Sequence, residues 1–130
     1  MSETPEPEVV ELATKIFDLA RRGEAEALAA YVDASVPANL TNDRGDSLLM
    51  LAAYHGHAPA VEALLARGAD ADRANDRGQT PLAGAVFKGE DAVIRALLTG
   101  GADPAAGTPS AVDTARMFDK KDLLELFRAQ

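Results

Sequence analysis

The segment Asn42–Asp70 returns 33 residues later as Asn75–Asp103, and no other feature of this 130-residue chain constrains its fold as strongly. NDRGDSLLMLAAYHGHAPAVEALLARGAD becomes NDRGQTPLAGAVFKGEDAVIRALLTGGAD, with 13 of 29 aligned positions identical. Many of the differences are conservative, such as Val61 against Ile94, Tyr54 against Phe87 and Ser47 against Thr80. A period of this length means stacked supersecondary units, each too small to bury its own apolar face, so that neighbours cover it for one another. Gly23, Gly56 and Gly89 keep the same spacing, which extends the period upstream into a diverged first unit.

Each unit reads as two helices. Val9, Leu12, Ile16 and Leu19 recur at helical spacing, widened by Val10, Ala13 and Ala20. Gly23 ends that helix and Ala25–Val32 begins the next. In the second unit Ser47 is placed to cap a short helix through Tyr54; a turn at His55–Gly56–His57 leads to a helix from about Pro59 to Arg67. In the third, Thr80 and Pro81 are cap and first residue, Lys88–Gly89 form the turn, and Asp91–Thr99 is the second helix. Connecting stretches such as Ala102–Thr108 are rich in Asp, Gly and Pro and suit projecting turns. The last unit, Ser110–Phe127, aligns with the third at an offset of 30. A shortened, more polar terminal repeat is expected where one face meets water. Residues 1–8, with Pro5 and Pro7 among acidic residues, read as a disordered tail ahead of one repeat domain over 9–130, with units of about 9–41, 42–74, 75–107 and 108–130.

Composition narrows the function. Hydrophobic residues make up 47% but aromatics only 5%, with no Trp, so the core is built from Ala, Leu and Val in thin helical layers. Without cysteine there are no disulfides and no thiolate metal sites. His55 and His57 flank Gly56 at a spacing that does not place two imidazoles on one helical face, so no metal site is expected; the pair suits capping or solvating the turn. No G-x-S-x-G, P-loop or dinucleotide fingerprint occurs, and the carboxylates fall on turns and exposed positions. Neither catalytic residues nor a cofactor is therefore expected. The net charge of −8 repels phosphate backbones and argues against nucleic acid. No run approaches 18 apolar residues, and MSETPEPEVVE has neither a basic region nor an apolar signal segment. The expectation is a soluble, cytoplasmic chain that does not engage membranes and is monomeric alone.

The repeated units resemble ankyrin repeats. The pattern D-x-x-G-x-T-P-L-x-x-A-x-x-x-G-x-x-x-x-V-x-x-L-L-x-x-G-A-D is matched by Asp76, Gly78, Thr80, Pro81, Leu82, Ala85, Gly89, Ile94, Leu97, Leu98, Gly101, Ala102 and Asp103. The preceding unit matches through Asp43, Gly45, Leu49, Ala52, Gly56, Val61, Leu64, Leu65, Gly68, Ala69 and Asp70. The chain departs from the pattern at Ser47–Met50 and Ala83, which lack the family's T-P-L-H histidine; at Ser35, in place of a helix-ending glycine; and at Asp119, in place of a turn glycine. The resemblance implies an all-α solenoid of four stacked helix-turn-helix units with projecting hairpin-like turns and atypical end units. It makes Leu64, Leu65, Leu97 and Leu98 core.

The resemblance also implies where a partner binds, on the turn tips and the concave face of the first helices. Projected onto this chain, the tips hold Asp43, Arg44 and Asp46, then Asp76, Arg77 and Gln79. The ends of the first helices supply two columns, Arg21, Tyr54, Phe87 and Met117 beside Arg22, His55, Lys88 and Phe118. Tyr54 and Phe87 stand out because aromatics and Arg are enriched in interface hot spots, although an aromatic at a helix end also serves to shield a turn. A cation–π contact of Tyr54 with Arg21 or Arg44 is expected. Such a mixed face suits an acidic or amphipathic partner. The function expected is a non-catalytic scaffold that binds another protein. A second reading is a regulatory or protective companion of an enzyme, since some similar small bacterial ankyrin proteins are associated with catalase and peroxide resistance. A third, a small-ligand binder or enzyme, has no support in the residues.

Overall fold

A computed structural model describes residues 6–130. Among them the chain forms eight helices in four pairs: α1 (Pro7–Arg22) with α2 (Ala25–Asp33), α3 (Leu48–Tyr54) with α4 (Ala58–Leu65), α5 (Pro81–Lys88) with α6 (Asp91–Thr99), and α7 (Ala111–Met117) with α8 (Lys121–Arg128). β structure is confined, among the described residues, to two isolated bridges, Thr41 with Ser47 and Gly107 with Ser110. Of the expected tail, Met1–Pro5 lie outside the described residues. Pro7 and Glu8 belong to the first turn of α1, where a missing proline N–H costs nothing and a carboxylate faces the positive end of the helix.

Local chemistry sets the boundaries. Ser47, Thr80 and Ser110 each stand at an N-cap in extended conformation and accept, through the side-chain oxygen, from the N–H three residues on, at 3.0, 3.2 and 3.0 Å. Each satisfies one of the donors that a helix start leaves unpaired. Gly23 closes α1 in the left-handed region, its N–H donating to the Ala20 carbonyl while Glu24 donates to Leu19. Helix α4 occupies Ala58–Leu65, slightly shorter than the spacing predicts, and α6 coincides with its predicted span.

The first helices pack in succession, α1 on α3 on α5 on α7, and the second helices α2 on α4 on α6 form a parallel layer. Between the layers lies one continuous core, in which Leu28, Leu48, Leu64, Leu82, Ile94 and Leu97 are fully buried. Leu65 is only half-buried; it packs on the rim of this core. Each unit is thus sealed by the next, as a period of 33 residues requires. Helix α8 packs on α7 but does not continue the second-helix layer closely against α6; a polar-rimmed groove of about 660 Å³ opens between them.

The amino-terminal end departs from expectation. Ile16, Leu19 and Ala20 are buried, but Val9, Val10 and Leu12 are 57, 48 and 42% exposed. Helix α1 is twice as long as the first helices behind it, and among the described residues its leading turns stay exposed. The periodicity correctly gives the helix; it does not give the length of its neighbour.

Candidate functional site

The turns between helix pairs stack on one another, and the connecting segments project as fingers. Asn42 and Asn75 build two of these fingers. The Asn42 Oδ1 accepts from the N–H groups of Arg44 and Asp46, and the Asn75 Oδ1 from those of Arg77 and Gln79, all at 2.9–3.0 Å. Asparagine suits this position because its short amide reaches its own backbone two and four residues on. Fingers are tied to each other by backbone bonds, Asp76 N–H to the Arg44 carbonyl and Thr108 N–H to the Gly78 carbonyl. The Asn75 Nδ2 donates to both Asp46 Oδ1 (2.8 Å) and Gln79 Oε1 (2.9 Å), so these two polar tip residues are held within the scaffold.

Three adjoining hollows line this side of the molecule, and Tyr54 borders all of them. The first, about 420 Å³, lies between the second and third fingers, with Arg44, Asp46, Arg77 and Gln79 above Met50, Leu51 and Tyr54. The second, about 250 Å³, is walled by Tyr54, Phe87, Met117 and Phe118 over a floor that includes Ala83 and Gly84. The third, about 350 Å³, brings Arg21 and His55 beside Arg44 and Asp46. Of the fourteen residues projected from the sequence, twelve line these hollows, and Lys88 lies over the Tyr54 ring without lining any of them. Arg22 also lines none; its guanidinium pairs with Asp18 at 3.7 Å on the exposed surface of α1, and Arg21 reaches the same carboxylate at 4.0 Å.

Aromatic contacts organise the walls. Phe87 and Phe118 meet edge to face with ring centroids 5.7 Å apart, and both are exposed. The cation over the Tyr54 ring is Lys88, its Nζ 4.9 Å from the centroid, and not Arg21 or Arg44. Lys88 reaches back from the following unit, and Arg21 is drawn instead toward Asp18. His55 packs edge-on to Tyr54 at 5.7 Å. Its pKa is lowered, first by partial burial and then by the neighbouring His57, Arg21 and Lys88, which favours the neutral ring. His57 makes no side-chain cap; its Nε2–H donates to the Arg21 carbonyl at 2.7 Å and so joins the first unit to the second. Among the described residues no group of three His, Asp or Glu side chains is placed to hold a metal ion.

Sequence reasoning passes over Met50, Leu51, Ala83, Gly84, Pro109 and Thr114, which shape the hollows. A signal for them exists in the repeat itself. At equivalent positions Met50 becomes Ala83 and Leu51 becomes Gly84, so the third unit loses volume where its first helix faces outward. A Cβ on Gly84 would stand 3.1 Å from Met50 Cε and 3.6 Å from Tyr54 Cδ1, which shows how closely α3 approaches α5 here.

Helix pairs stacked with projecting fingers define a helical repeat solenoid whose outward surface is carried by equivalent positions of successive units. The chain belongs to the ankyrin repeat family: a family model described as ankyrin repeats (3 copies) matches residues 16–107. An ankyrin repeat protein of Pseudomonas aeruginosa is 46% identical over 59 residues, a match covering 42% of this chain and 34% of that protein. The crystal structure of the human ASB11 ankyrin repeat domain superposes with a TM-score of 0.75 at 28% identity, over 88% of this chain and 52% of that one. The chain therefore spans about a third of the Pseudomonas relative and about half of the ASB11 chain. Ankyrin repeats are in general protein–protein interaction modules, and no described helix is long and apolar enough to cross a membrane.

Proposed function

We propose that this chain is a non-catalytic scaffold that binds another protein through the finger tips and the ends of its first helices. One observation carries the reading. Three exposed apolar side chains, Phe87 (58%), Met117 (70%) and Phe118 (47%), come from two successive units and converge on one side with Tyr54, Arg44 and Arg77. Exposed aromatic and methionine side chains next to arginine are the composition of an interface core. The backbone behind them is fixed by caps and inter-finger hydrogen bonds, so little conformational entropy is lost on docking. The hollows do not favour a small ligand: the most apolar of them, at about 250 Å³, falls below the roughly 300–1,000 Å³ usual for such sites, and those of about 350 and 420 Å³ are lined by Asp43, Arg44 and Asp46 where such sites are mostly apolar. Nothing in the groove singles out a catalase or any other enzyme as the partner.

The test is affinity purification from the source cell, with bound proteins identified by mass spectrometry, using wild-type chain and the double variant Tyr54→Ala/Phe87→Ala. We expect the variant to lose the specific partner while its far-ultraviolet circular dichroism stays near wild type and its melting temperature falls only modestly, because Phe87 is exposed and Tyr54 is half-buried at the rim of the core. Retention of the same partner by the variant would remove this face from consideration. Turnover of a substrate that is lost on changing a single carboxylate or His55 would overturn the non-catalytic reading.

A further inference from the structure

Resting on that reading, we infer that the hollow between α3, α5 and α7 is an anchor pocket for one apolar side chain of a partner segment whose flanking residues are acidic. No charged residue lines the hollow; its walls are Tyr54, Phe87, Pro109, Met117 and Phe118, with Ala83, Gly84, Thr114 and Gln79 completing it. The two polar side chains with internal partners leave it drier still. Thr114 Oγ1 donates to the Ser110 carbonyl at 2.8 Å, and Gln79 Oε1 accepts from Asn75. What remains is a surface of rings, a thioether and small side chains, at a volume suited to a leucine or phenylalanine anchor. Hot-spot side chains bind in such desolvated pockets near the centre of an interface.

Charge fixes the flanks of the occupant. Tyr54 is the partition between this pocket and the ends of the first helices: Lys88 lies over its ring, and Arg21 and His55 stand in the hollow beyond. Lys88 lies over the Tyr54 ring and makes no ion pair among the described residues. The helix-end hollow is mixed in charge, Arg21 and Arg44 standing with Asp43 and Asp46, so the positive charge that borders the pocket is that of Lys88. Asp43, Asp46 and Asp76 border the finger hollow, and Asp43 and Asp46 border the helix-end hollow as well; Asp46 is engaged by Asn75. A segment with its apolar side chain in the pocket therefore meets the Lys88 ammonium across the Tyr54 ring. An acidic flank gains there, and a basic flank is repelled.

The experiment is selection of a phage-displayed random twelve-residue library on the immobilised wild-type chain, followed by fluorescence-anisotropy titration of the winning peptides. Selected peptides are expected to share one Leu or Phe with Asp or Glu within a few positions, and to bind more weakly as salt rises. Gly84→Val, which fills the floor, is expected to weaken them at least about tenfold, as loss of an anchor does. Because valine there presses on Met50, Met117→Glu serves as a second variant; its side chain is on the surface, and it places a repelling carboxylate at the rim. Lys88→Glu is expected to reverse the preference toward basic flanks. Winners without an apolar anchor, winners indifferent to both pocket variants, or no winners at all would overturn the anchor pocket. Winners that ignore the pocket variants but are lost with Tyr54→Ala/Phe87→Ala would leave the broader scaffold reading standing. Winners that survive every one of these variants would remove both.

Discussion

Two side chains occupy backbone positions built for glycine. Ser35 has φ of +93°, against +90° and +92° at the equivalent Gly68 and Gly101. Asp119 has φ of +53°, where Gly23, Gly56 and Gly89 have values from +72° to +80°. A side chain in the left-handed region costs roughly 1–2 kcal/mol, less for Asp. We therefore expect Ser35→Gly and Asp119→Gly each to stabilise the fold by about 0.5–1 kcal/mol, read as a rise in the urea midpoint without a change in slope. The sequence marks both sites, because they break an otherwise regular column of glycines. His55 offers a second measurement. Its folded pKa lies below the unfolded value of about 6.5, so the stability tied to its neutral ring is present above that pH and is lost as pH falls through the folded pKa. Plotting the stability difference between wild type and His55→Gln from pH 8 to pH 5 should show the wild type losing ground only on the acid side.

At the scale of the helices, the decisive features are caps and core leucines. Ser47 and Thr80 are buried and each satisfies one helix-start N–H, so Ser47→Ala and Thr80→Ala are expected to cost about 1 kcal/mol apiece. Leu64, fully buried between successive units, should cost about 2–5 kcal/mol as Leu64→Ala. Denaturant titration of the three variants checks the order. These roles are legible in the sequence because cap chemistry is local and core spacing follows the helical period. The exposure of Val9, Val10 and Leu12 is not legible, since it depends on where the neighbouring α3 begins. The Lys88–Tyr54 contact escapes for a related reason. Residues 34 apart in sequence meet only because successive turns stack, and the competing Arg21 is already drawn to Asp18.

Over the whole molecule, stability resides in the interfaces between units more than in any one unit. Removing residues 108–130 takes α7 from α5 and uncovers the side of the third unit that it seals. The shortened chain is expected to melt at lower temperature and to bind a dye for exposed apolar surface, whereas the full chain unfolds in a single transition. The sequence by itself determined the repeat, the helix pairs and their caps, because each follows from residue type and spacing within a few turns of chain. The tertiary structure alone decided the anchor pocket, the cation over Tyr54 and the scaffold roles of Asp46 and Gln79. Each is a meeting of side chains from different units, and it depends on how far one helix pair is displaced from the next.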